Sequence, residues 1–406
     1  MTVEKPQTRR EVVIALVLAA TLLLFVVILS SQLVDPRGFD FAGFYAGGLI
    51  IRQGDASRLY DLNLQARIEK RYFNRHVLFI DNHPPFEVLL FAVLAKLSYT
   101  KAYILWGTIN VLLWLFSQLL YWHDTPIPGI LFRYFLLSFL FFPLWGALIL
   151  GQTSILLLFL FTLTYFCLKR GLDFRAGIFL GLGLIKFPIV LPFALICILR
   201  GKWRMIAGFG AAAALLGVLS LVAVGPTGVQ AYANLLIDII RNPNNPSYLS
   251  MKTWEKMPTI KGVCVTLLQG RLASLSITWL AAGISLALVF FTAWRWRREE
   301  QRQGVNSLNL MFAAALVVAQ VTAVHMYAYD LTLMILAVLL IIGSPQRLLK
   351  SNQRAVLMAI VVILYFPPVY YALLIRWQAI YLLAFVLAAF ALAAISLARK
   401  AENPIT

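Results

Sequence analysis

The chain has 406 residues, of which 61% are apolar and only 13% are charged. Apolar runs of bilayer-crossing length recur throughout, which excludes an ordinary soluble fold and requires a polytopic, all-α membrane protein. A formal net charge of +18 would suggest nucleic acid as partner of a soluble protein, but here the basic residues gather in loops and at segment ends, where membrane orientation and anionic lipid require them.

The polar N-terminus carries Lys5, Arg9 and Arg10. The apolar run 12–34 that follows predicts a first crossing, retained because no small-residue cleavage site comes after it. The basic residues in front of it place the N-terminus in the cytoplasm and Asp40 outside. Residues 35–101 form the first outer loop. Within it, 41–52 and 62–73 read as amphipathic helices lying in the interface, the second capped by Asp61. The segment 84–98 is short for a crossing and carries Glu87 and Lys96. Treating it as re-entrant puts Lys169, Arg170, Arg200, Lys202, Arg204, Arg295, Arg297, Arg298, Arg347, Lys350, Arg399 and Lys400 all in the cytoplasm, which satisfies the positive-inside rule.

That choice fixes the rest. Crossings follow over 102–122, 130–147, 154–168, 203–224, 273–294, 306–324, 328–343, 355–374 and 377–397. Two short helices, 173–185 and 188–199, break at Lys186-Phe187-Pro188. The result is about twelve spans with both termini inside, forming one membrane domain, 1–406. A second outer loop occupies 225–272, with a helical stretch near 228–241. No internal repeat stands out. Cys167, Cys197 and Cys264 have no metal-ligand spacing, so neither a disulfide framework nor a metal site is expected.

Asp40, His83, Gln152, Lys186, His325 and Asp330 all fall on the outer side of this topology. Asp40 fits two roles: an N-cap for the helix beginning at Phe41, or a base beside the bilayer that deprotonates a hydroxyl. Lys186 lies in an apolar stretch, where charge is costly and usually functional. It can bind a phosphate or snorkel to outer headgroups. His325 can donate to a phosphate or a sugar hydroxyl. Asp330 can orient Lys186 or His325, bind a sugar, or cap the turn. Gln152 and His83 either support broken backbone or touch a sugar, and Tyr45 and Tyr329 are aromatic candidates for the same supporting or binding task. Gly177, Gly181 and Gly183 follow no strand. They therefore predict close helix packing and not a nucleotide cradle.

The ordered set Phe39-Asp40-Phe41, Leu59-Tyr60-Asp61, His83-Pro84-Pro85-Phe86, Gly151-Gln152-Thr153-Ser154, Ala176-Gly177…Ile185-Lys186 and His325…Asp330 resembles the GT-C membrane glycosyltransferases, and within them glycosyltransferase family 87. The resemblance is densest over 38–204. It implies a GT-C fold in a bacterial inner membrane, with the active site on the periplasmic side. It implies a polyprenyl-phosphate sugar donor, with mannose expected, and inverting transfer to a lipid or glycan acceptor without a cofactor or metal. Asp40 would then be the general base, and Lys186 and His325 the donor-phosphate contacts. Loop 225–272 matches no pattern of the family. Two rival functions remain: a transporter or flippase, weakened by the missing repeat, and a non-catalytic assembly subunit, which leaves Asp40 and Lys186 without a task.

Overall fold

The computed structural model describes residues 17–24, 27–28, 40–73, 82–124, 138, 141–242, 253–300, 305–344 and 351–400. Among them the protein is all-α; its lone β-bridge joins Gln269 to Leu272. One apolar core runs through the chain from Ala19 to Ala398. Most of the expected run 12–34, and of 130–147, lies outside the described residues.

Helices α1 (Phe41–Arg52), α2 (Leu62–Phe73) and α3 (Pro85–Leu94) pack together, α1 touching both of the others. Asp61 caps α2 as its position predicts, accepting from Asn63 N at 3.0 Å and Leu64 N at 3.2 Å. Leu64, Ile68 and Phe73 face inward while Arg67, Lys70 and Arg71 face out. Helix α3 has 10 residues. At about 15 Å it is too short to cross a bilayer. It docks on α1 instead, where a Cβ on Gly48 would lie 2.5 Å from the Phe91 carbonyl and Phe44 stacks on Phe91 at 4.6 Å.

Helix α4 (Tyr99–Asp124) has 26 residues, about 39 Å, enough to span. The chain then forms α5 (Phe142–Leu150), α6 (Ser154–Lys169), α7 (Asp173–Leu182) and α8 (Phe187–Leu199). By length and composition 173–199 would pass as one 27-residue span. The contacts fold it into a hairpin. Asp173 lies 3.8 Å from Lys202, whereas a straight helix would hold those ends ~40 Å apart. The break is a 3-10 turn, Gly183–Lys186, with Lys186 at φ −120°, ψ 58°, followed by Pro188, which has no amide to continue the ladder.

Helix α9 (Trp203–Arg241) bends at Gly225, φ 70°, ψ 175°, just before Pro226. So the first part of the expected loop 225–272 continues the preceding helix. Helix α9 returns alongside α7. A Cβ on Gly181 would lie 2.6 Å from the Ala212 Cβ, and one on Gly177 or Gly208 would collide with the carbonyl of Met205 or Phe174. The glycines serve close packing, as predicted. Next come α10 (Ile260–Leu268), α11 (Ser274–Glu300), α12 (Val305–Val321) and α13 (Met334–Ile342). Helix α12 is buried on every side from Leu310 to Val321, at the centre of the bundle. Helices α14 (Ser351–Tyr365) and α15 (Pro367–Tyr371) meet at a 61° bend, and α16 (Leu383–Lys400) closes the described chain.

Four described helices, 99–123, 203–239, 274–300 and 380–398, are each long and apolar enough to cross a membrane, and 173–199 reaches that length only when α7 and α8 are counted together; the bent pair, taken as one span, is a further candidate. Shorter apolar helices of 10–17 residues take up several of the other expected crossings. The protein is multi-pass, but its described helices do not reproduce the count of about twelve. Several crossings predicted from hydropathy are half-length helices joined at breaks.

Candidate active site

A cavity of about 510 Å³ opens where the start of α1, the α5–α6 turn, the α7–α8 apex and the turn after α12 meet. Asp40, His83, Gln152, Lys186, His325, Tyr329 and Asp330 all line it.

Asp40 stands at the N-terminus of α1 with helical backbone, φ −61° and ψ −28°, and its side chain makes no capping bond. Of the two roles open to it, capping is therefore not the one this carboxylate performs. Its Oδ2 instead accepts from Gln152 Nε2 at 2.6 Å. The backbone around Gln152 is fixed from several sides. Gly151 adopts φ +69°, and a Cβ there would lie 2.7 Å from the Phe41 Cβ. A side chain at 151 would be strained and would push on the neighbour of Asp40. Trp106 Nε1 donates to the Gly151 carbonyl at 2.8 Å, and Tyr103 OH to that of Ile149 at 2.8 Å. Helix α4 thus holds the end of α5 in the place that lets Gln152 reach Asp40.

Lys186, at the hairpin apex, turns inward. Its Nζ donates to Gln152 Oε1 at 3.0 Å and to Asp330 Oδ1 at 2.7 Å, and lies 4.8 Å from the Tyr329 ring centroid. Asp330 also accepts from Ser154 Oγ at 2.7 Å and from Tyr327 N at 3.1 Å, and Gln320 Nε2 donates to its backbone carbonyl at 2.9 Å. The two charged side chains of the pair are 10% and 5% exposed. Lys186 is therefore bonded within the protein and does not snorkel. The result is a continuous chain, Asp40–Gln152–Lys186–Asp330, in which one amide bridges a carboxylate and an ammonium with its donor and acceptor correctly directed.

His325 stacks edge-on against Tyr327, centroids 4.9 Å apart, and Tyr327 OH lies 3.2 Å from Thr253 Oγ1. Crowding by protein pushes its pKa down to about 4; Asp330 opposes the shift, while Lys186, His83 and Lys261 reinforce it. The imidazole is neutral at pH 7, able to donate one hydrogen bond and accept another. His83 rests on Phe44 at 4.5 Å; its Nδ1 is 3.0 Å from Glu87 Oε2, and its carbonyl accepts from Tyr60 OH at 2.7 Å.

Tyr45 does not join them. Its hydroxyl donates to the Leu97 carbonyl at 2.7 Å, and its ring packs among Phe41, Phe73 and Tyr99. The reason is helical phase. Gly43 and Phe44, three and four residues after Asp40, share its face and line the cavity; a residue five on turns away. Asn82, Thr253, Lys256 and Tyr327 line the cavity without having been singled out from sequence. Thr253 and Lys256 come from the patternless loop, where polar residues are unremarkable. No three His, Cys, Asp or Glu side chains among the described residues gather as a metal cluster.

The sequence profile of glycosyltransferase family 87 matches residues 82–319. No curated protein matches the chain. Among solved structures, the chain is similar to ArnT from Cupriavidus metallidurans in the apo state, at 14% identity, covering 96% of this chain and 75% of that one, with a TM-score of 0.40.

Proposed function

The chain belongs to glycosyltransferase family 87 and is a membrane glycosyltransferase; on that premise we propose that it moves a sugar, with mannose expected, from a polyprenyl-phosphate donor to an acceptor hydroxyl, with Asp40 as general base. The observation that carries this reading is the Gln152 bridge. It holds a carboxylate and an ammonium on opposite ends of one amide, 2.6 and 3.0 Å away, facing one cavity.

Asp40 takes the proton of the acceptor hydroxyl as that oxygen attacks the anomeric carbon. The bond from that carbon to the phosphate oxygen breaks, its electron pair stays on the oxygen, and polyprenyl phosphate leaves. Attack opposite the leaving group inverts the anomeric centre. Lys186 has three N–H donors. Asp330 and Gln152 take two, and the third meets the phosphate oxygen on which charge develops. A base positioned in this way contributes ~10²–10⁴ in rate, and a fixed cation on the leaving group a comparable factor. Neutral His325 donates to the phosphate or to a sugar hydroxyl, and His83 and Tyr329 shape the sugar site. The reaction needs no metal or nucleotide.

The proposed orientation puts the cavity on the periplasmic face of a bacterial inner membrane with both termini cytoplasmic. It is supported by charge at the opposite end of the hairpin. There Arg200 pairs with Glu300 at 2.8 Å and stacks on Trp296 at 3.5 Å, and Lys202 bridges Asp173 and Glu300. That end is the basic one, as the positive-inside rule asks of a cytoplasmic face.

The test is transfer by purified protein in liposomes, with labelled polyprenyl-phosphate mannose as donor and a native lipid extract as acceptor. Label enters a new product with the wild type and falls at least about 10²-fold with Asp40→Asn, while donor binding and Tm stay close to wild type. Loss of fold along with activity in that variant would remove Asp40 from the chemistry.

A further inference from the structure

A second hollow, of about 410 Å³, runs between α8 and α11. Phe187 and Pro188 line both this groove and the polar cavity, so the two spaces meet at the hairpin apex. The groove is walled by apolar side chains such as Leu191 and Leu195 of α8 and Ala281 and Val289 of α11, and Leu191 is 48% exposed at its outer edge. Lys261 is the only charged residue among those that line it.

Lys261 stands in the second position of α10 with its Nζ 4.5 Å from the Trp254 ring centroid. Burial holds its pKa below the usual lysine value, and no carboxylate offsets that effect. Its charge also reaches His325, whose protonation it disfavours together with Lys186. Lys186 is already matched by Asp330; Lys261 has no such match among the described residues. An uncompensated cation thus sits where an apolar groove opens into a polar cavity. That arrangement suits an amphiphile with a long apolar chain and one anionic head.

We propose that Lys261 holds the phosphate of the lipid donor at the junction of the two spaces, with the polyprenyl chain lying in the groove between α8 and α11. The inference rests on the lipid-phosphate donor argued above and adds a residue from the loop that sequence patterns left unassigned. It divides the labour between two lysines. Lys186, tied to Asp330 and Gln152, meets the oxygen that departs. Lys261 supplies the net charge that selects a phosphorylated lipid over a neutral one. The leaving lipid is a phosphate monoester and carries more negative charge than the diester donor, so Lys261 also strengthens product retention.

The experiment compares equilibrium binding of labelled polyprenyl phosphate and of polyprenol of the same chain length. Full-length wild type, Lys261→Gln and Lys261→Arg are used in nanodiscs, with transfer measured on the same preparations. The wild type should prefer the phosphate by about tenfold or more, the usual scale for one charge-assisted contact. Lys261→Gln should lose most of that preference while binding polyprenol unchanged and keeping its Tm, and Lys261→Arg should restore it. In turnover, Lys261→Gln should raise donor KM and relieve inhibition by added polyprenyl phosphate, with acceptor KM unaltered. A Lys261→Gln protein that keeps the preference, or a wild type with none, overturns the proposal. Lys261-dependent binding without any sugar transfer would sink the glycosyltransfer chemistry and leave the lipid site standing; transfer with Lys261-independent binding would do the reverse.

Discussion

Lys186 and Asp330 are each almost wholly removed from solvent, and each is the other's only opposite charge within 4 Å among the described residues. Breaking one partner strands the other. Asp330→Asn should therefore cost ~3–5 kcal/mol, whereas a paired replacement, Lys186→Met with Asp330→Leu, should cost less than either single change. Thermal unfolding of the four proteins in one detergent measures this; additive losses would mean that the pair is not coupled. His325 gives a second prediction at this scale. Its folded pKa, about 4, lies below the unfolded value of 6.5, so the unfolded chain binds more protons between those values. The stabilisation is complete above about pH 6.5 and is lost as pH falls toward 4. It is bounded by ~3 kcal/mol, and less where water in the cavity screens the charge. The Tm of the wild type should fall more steeply from pH 6.5 to 5 than that of His325→Gln; parallel curves would contradict the assignment. Asp40, Lys186 and Asp330 were legible in the sequence because polar residues in a chain so apolar need a reason to be there. Thr253 and Lys256 were not, since a polar loop gives no contrast. Tyr45 misled because proximity to Asp40 along the chain is not proximity around a helix.

At the scale of elements, the hairpin α7–α8 sets where Lys186 stands, and its packing on α9 sets where the hairpin stands. Hydropathy alone merges α7 and α8, because the break is only four residues of 3-10 turn flanked by apolar side chains. The signal that separates them is chemical: a lysine followed by Phe187-Pro188. The glycines carry the rest. Gly208→Ala would drive a methyl into the Phe174 carbonyl, while Gly210→Ala, two residues along the same helix, meets nothing within 4 Å. Overpacking of this kind costs ~1–3 kcal/mol or more. Gly208→Ala should lower Tm and raise donor KM by displacing the apex, and Gly210→Ala should leave both unchanged. If the two variants behave alike, the close approach of α7 and α9 is not what positions Lys186. Helix α9 was largely legible: Gly225-Pro226 announces the bend, and the helical stretch expected near 228–241 is the arm that continues beyond it to Arg241.

For the whole molecule, the cavity and the basic cluster occupy opposite ends of the same hairpin, so one experiment on orientation bears on every group in the site. The sequence led to this arrangement through a single decision, that 84–98 does not cross. The 10-residue α3, docked on α1 through Gly48, supports that decision: at about 15 Å it is too short to span. The count of crossings was less legible, because half-length helices such as α7 and α13 have the composition of spans without the length. Orientation can be tested with single cysteines in a chain whose Cys167, Cys197 and Cys264 are replaced. Asn82→Cys, half-buried on the cavity lining, should react with a membrane-impermeant maleimide added to intact cells. Arg170→Cys, exposed at the foot of the hairpin, should react only after permeabilisation. The reverse pattern would turn the cavity toward the cytoplasm. An acceptor reached from that side would have to be a cytoplasmic one, and the basic cluster around Arg200 and Lys202 would then stand against the charge rule that such loops otherwise obey.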